Sequence, residues 1–147
     1  MSKPADILSA LKTQLENSAQ ISYVKNVFLG DRESVTEFPC IIIEPTNINE
    51  VENVYPRQDM AMKVNIIGVI RCTNKDKQIA GDATDKGILD LLNDIELALD
   101  SDRQLGLSSG VIHSRVVNVD MGRVDYPARF IIITVEILYR QTKGTRS

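Results

Sequence analysis

Few side chains in this sequence are of a type that does chemistry, and they are scattered. His113 is the only histidine, so a His-pair metal site or a two-imidazole relay is excluded. It falls in a strand-like run beside Arg115 and reads as a surface or interface histidine. Cys40 and Cys72 each sit in an apolar run. Free cysteine behaves as a small hydrophobe, so the pair reads as two buried thiols. No CxxC marks a redox pair. The stretch Gly81-Asp-Ala-Thr-Asp-Lys-Gly87 is bounded by glycine but lacks the Gly-Lys-Ser/Thr ending of a phosphate loop. Asp100-x-Asp102 begins like a calcium loop. Leu105 then stands where the glycine belongs, and Val111 where the closing glutamate belongs. No set of nucleophile, base and orienter emerges, and no activity, cofactor or metal is expected.

One cluster of charge remains. Asp82, Asp85, Asp90, Asp94, Glu96, Asp100 and Asp102 are answered only by Lys86 and Arg103. Asp90 and Asp94 are four apart and share a side of a helix. Such a face reads as a metal pair, a solvated surface, or an electrostatic surface in an assembly. The whole chain has a net charge of −3, yet from Val111 onward six cations meet three acids. The acid excess therefore lies in residues 1–110. That distribution and the absence of Trp argue against a dedicated nucleic-acid binder.

These residues must be positioned by one domain. A chain of 147 residues, 43% hydrophobic and 25% charged, fits a single globular unit over 1–147. No apolar run approaches the ~20 residues of a membrane span. The N-terminus lacks the apolar core of a signal peptide. The composition reads as a soluble domain of intracellular type.

Hydrophobic periodicity supplies the elements. Ile7, Leu8, Leu11 and Leu15 share a face and predict a helix over 4–18. Tyr23–Leu29 reads as a strand ending at Gly30, followed by a polar loop over 30–39. Cys40–Glu44 reads as a central strand stopped by Pro45. Within 46–58, Ile48, Val51, Val54 and Tyr55 read as a weak hairpin strand or an exposed arm. Met60–Cys72 alternates for its whole length, interrupted at Gly68. Residues 73–77 read as a turn. Ile88, Leu91, Leu92, Ile95 and Leu99 form the stripe of a second helix, weakened at its start by Gly81 and Gly87. Val111–Met121 predicts a strand with Val117, Val119 and Met121 inward. A hairpin loop over 122–129 leads to a last strand, Phe130–Tyr139, with Ile131, Ile133, Val135, Ile137 and Tyr139 inward. The tail 141–147 is polar and expected to fray. The fold class is α+β: a mixed, mostly antiparallel sheet with two helices packed on it.

This arrangement resembles the tail terminator (tail completion) proteins of long-tailed bacteriophages. The likeness covers nearly the whole chain. It runs from the N-terminal helix through Phe38-Pro39-Cys40-Ile41-Ile42-Ile43-Glu44 to the closing strand around Ala128-Arg129-Phe130-Ile131-Ile132-Ile133-Thr134-Val135-Glu136-Ile137-Leu138-Tyr139-Arg140. The resemblance implies a structural virion protein at the head-proximal end of the tail, assembled in the host cytoplasm. It implies a ring of copies of itself, typically six, bound to the tail tube protein and to a head connector or completion protein. DNA passes the channel without specific binding. It brings no catalytic residue. Interface arms are expected in the 30–39 loop and at Ile48, Val51, Val54, Tyr55 and Arg57, and channel-facing acids at Asp90 and Asp94. The alternatives are another neck or head-completion protein, or an enzyme or ligand-binding domain.

Overall fold

The structure is a computed structural model that describes residues 4–30, 37–81, 86–107, 110–121, 124–125 and 127–142. Helix α1 spans Pro4–Asn17 and buries Ile7, Leu11 and Leu15, four residues apart on one stripe. A short 3-10 turn follows at Ala19–Ile21, capped by Ser18, whose hydroxyl accepts from the Gln20 N–H. Strand β1 is Asn26–Leu29. Strands β2 (Cys40–Val54) and β3 (Arg57–Arg71) form one long hairpin. Helices α2 (Lys75–Ala80) and α3 (Ile88–Asp100) come next, then β4 (Val111–Asp120), the short β5 (Val124–Asp125) and β6 (Ala128–Thr142).

The sheet runs β1-β2-β3-β6-β4, with β5 paired to β6. Among the described strands only β1 and β2 pair in parallel. The architecture is thus the expected α+β sheet with α1 and α3 on one face. That face carries Ile41, Ile43, Met62, Val64, Ile66, Ile131, Ile133, Val135 and Ile137, all fully buried. The other face is polar in its middle, where Asn65 accepts from the Thr134 hydroxyl at 3.0 Å. It is apolar near the β1 end, where Cys40, Ile42 and Val69 are also buried.

Several expectations need correction. Pro45 does not stop β2, which continues to Val54. β1 has ended opposite Ile43, so Pro45 occupies an outer strand beside a register shift, where a missing N–H is tolerated. The strand expected from Tyr23 begins only at Asn26, because Tyr23 turns toward α3. The expected turn at 73–77 is the start of α2, capped by Asn74, which accepts from the N–H groups of Asp76 and Lys77. Gly81 and Gly87 do not weaken α3, since they lie at the C-cap of α2 and the N-cap of α3. At Gly87 a Cβ would come 2.5–2.7 Å from backbone atoms of Gly81, Ile79 and Lys77, so close chain approach requires glycine there. In β4 a register shift between Val116 and Asn118 puts Val116 and Val119 inward and leaves Val117 exposed. Cys72 is only partly buried, whereas Cys40 is fully so. Gln141 does not fray but is a buried member of β6. Positions 31–36 of the first proposed arm, the expected hairpin loop at 122–123 and 126, and the tail at 143–147 lie outside the described residues.

Candidate assembly surface

The far half of the β2–β3 hairpin is the least covered part of the described chain. β1 pairs only with Cys40–Ile43, so among the described residues Glu44–Val54 has no strand on its open side. The arm residues Ile48, Val51, Val54 and Tyr55 are all exposed, Tyr55 most of all at 79%. Arg57 is exposed beside them, just past the turn. The structure therefore brings the five proposed arm residues together on one hairpin end. This arm is paired strand rather than loop, because β6 backs it as far as Thr142, opposite Arg57.

A polar network roots the arm. Gln141 Nε2 donates to Gln58 Oε1 at 3.1 Å, and Gln58 Nε2 donates in turn to Glu50. Both glutamines are buried, so these bonds satisfy groups that would otherwise be costly. Arg140 donates from Nε to Asp59 Oδ1 at 2.8 Å and from a terminal nitrogen to Oδ2 at 3.3 Å. This two-point hydrogen bond holds the Asp59 carboxyl below its usual range. Sequence reasoning missed the Gln58–Gln141 and Asp59–Arg140 pairs, for no local pattern joins positions about 80 apart.

The open edge of β2 and the edge strand β4 both carry register shifts. In β2 they fall between Pro45 and Asn47 and between Glu50 and Glu52, and in β4 between Val111 and His113 and between Val116 and Asn118. The extra residues include Val51, Ile112 and Val117, each an exposed branched side chain. Bulges of this kind oppose strand addition and re-aim side chains.

On the helical side, Asp90 and Asp94 have local tasks. Asp90 Oδ2 accepts from the Gly87 N–H at 3.0 Å at the start of α3. Asp94 accepts from the Tyr23 hydroxyl at 2.7 Å and lies 3.8 Å from Lys86 Nζ. Burial first, and then the Asp94 carboxylate, push the Tyr23 phenol well above its ordinary range. Asp90 thus caps its own helix, and Asp94 braces α3 against Tyr23. His113 is partly buried, and its Nδ1 has no hydrogen-bond partner among the described residues.

A groove of about 640 Å³ opens between α1, the 3-10 turn and the end of α3. Its walls are fixed by Gln14, whose Nε2 donates to the carbonyls of Ala98 and Leu99 at 3.0 and 3.3 Å. No group of three or more metal-ligating residues occurs among the described residues. Gly106-Leu107-Ser108-Ser109-Gly110 matches G-x-S-x-G as a string, but it follows a helix and precedes β4. A nucleophile elbow needs the opposite order, strand then helix. Among the described residues no helix is long and apolar enough to cross a membrane.

No family model matches the chain, and no curated protein matches it. Among solved structures the fold is similar to that of a chain in the virion of a native gene transfer agent particle. The TM-score is 0.66 at 12% identity, over 90% of this chain and 93% of that one.

Proposed function

We propose that the protein is a structural virion component of phage type and not an enzyme. The observation that carries this reading is the end-to-end likeness of the fold to a chain of a gene transfer agent virion. More finely, we propose a tail terminator: a ring, of six copies in the expected case, that caps the tail tube, halts its growth and offers the surface that joins the head. Its partners are then further copies of itself, the tube protein and a head connector, with DNA passing through. The exposed arm supports this reading, because a paired hairpin with solvent-facing Val51, Val54 and Tyr55 suits contact with a neighbour. A head-to-tail contact closes into a ring when its rotation allows.

Electron microscopy of particles made without the protein tests the assignment. Overgrown or ragged tails beside filled, unjoined heads are expected. Normal tails beside unjoined heads would instead point to a neck or head-completion protein. Head-joined particles of normal tail length would refute both readings. Under the terminator reading the acidic side of α3 faces the passage, where negative walls keep phosphates from sticking. Asp90 and Asp94 are poor positions to test this, since each also holds the fold.

A further inference from the structure

Resting on the ring reading, we infer that the arm tip of one copy docks into the groove between α1 and α3 of the next copy. The tip offers Tyr55, the most exposed large apolar side chain of the described residues, with exposed Val54 before it and exposed Arg57 two residues after it. The groove offers the counterpart. Leu97, 44% exposed, lines it together with small residues such as Ala10, Ala19 and Gly106. Among the described residues its single charged lining residue is Asp102. That carboxylate is held in place by the N–H groups of Gln104 at 3.0 Å and Gly106 at 2.8 Å. An aromatic ring beside a cation thus meets an apolar wall beside an anion, the pairing that steers and registers a contact.

The edges favour this mode over strand addition. The open edge of β2 past Ile43 and the edge strand β4 are each broken by register shifts, and the β1 edge is only four residues long, so a neighbour's strand cannot simply extend the sheet. The tip and the groove are different surfaces, which makes the contact head-to-tail and able to close a ring.

Cysteine cross-linking on tail tubes tests the inference in the full chain, with Cys72→Ser to remove the one partly exposed native thiol. Tyr55→Cys combined with Leu97→Cys should give a ladder of covalent oligomers. The two single variants mixed should give dimers only, and each alone none. Dimers of Tyr55→Cys alone would mean a tip-to-tip contact and overturn the inference. Rings seen on tails without any ladder would overturn the docking and leave the terminator reading intact. Absence of rings with the unmodified protein would sink the terminator reading itself. A second measurement uses charge. Asp102→Asn should weaken association by up to about fivefold with the native tip, and strengthen it when the tip carries Arg57→Glu. No change of sign would refute the Arg57–Asp102 pairing.

Discussion

Gly68 lies near the end of β3, directly beneath Leu91 of α3. A Cβ built there would sit 2.8 Å from Leu91 Cδ2 and 3.1 Å from Ile131 Cγ2. Ordinary carbon contacts are about 3.5–4.0 Å, so Gly68→Ala forces a displacement of roughly 0.7–1.2 Å on Leu91. Leu91 and Ile131 are both fully buried and have little room to yield. Overpacking of this kind costs about 1–3 kcal/mol. Alanine recovers about 0.4–1 kcal/mol by restricting the unfolded chain. We expect a net loss of about 1–2 kcal/mol, seen as a fall in Tm of roughly 3–6 °C. Gly68→Val should lose more than about 3 kcal/mol. Urea unfolding of Gly68→Ala, Leu91→Val and the double variant provides the assay. The double variant should lose less than the sum of the singles, since the shorter side chain vacates the space. A neutral or stabilising Gly68→Ala, or strict additivity, would refute the claim that α3 sits on the glycine.

Gly87→Ala should be worse than Gly68→Ala in the same assay, because the atoms it meets are backbone and cannot rotate away. Tyr23→Phe should cost about 1.5 kcal/mol by removing the donor to Asp94 in a partly buried setting. An unchanged urea midpoint would show that the bond contributes nothing. The Asp59 carboxyl has a depressed pKa in the folded state. Its contribution is therefore present above the unfolded value of about 3.9 and is lost as pH falls through the folded value. Asp59→Asn should accordingly narrow the stability difference between pH 6 and pH 3 relative to the native chain, and an identical difference would exclude this pair. Burial pushes the Cys40 thiol up to about 11. Thiol titration of the folded protein at pH 8 should label Cys72 first and Cys40 only on unfolding.

Residue order by itself determined the elements that carry a strong period. Ile7, Leu11 and Leu15 fall on one helical stripe, and Ile131 through Tyr139 alternate without a break, so burial of one face leaves those segments little choice. The absence of a second histidine likewise limited the chemistry before any fold was known. Tertiary structure decided everything that depends on which segments meet. It decided that β2 runs past Pro45, because only the sheet shows where β1 ends. It decided that Val116 rather than Val117 faces inward, because a bulge is a relation between two strands. It brought Gln58 to Gln141 and Asp59 to Arg140, rooting an arm that local propensity left ambiguous. It also formed the groove by bringing the end of α3 against α1 and the 3-10 turn, which lie far from it in sequence. Periodicity reports how a segment partitions between water and core, and that is a local property. Register, bulges and grooves follow from the pairing of remote segments, whose free energy no single stretch of sequence contains.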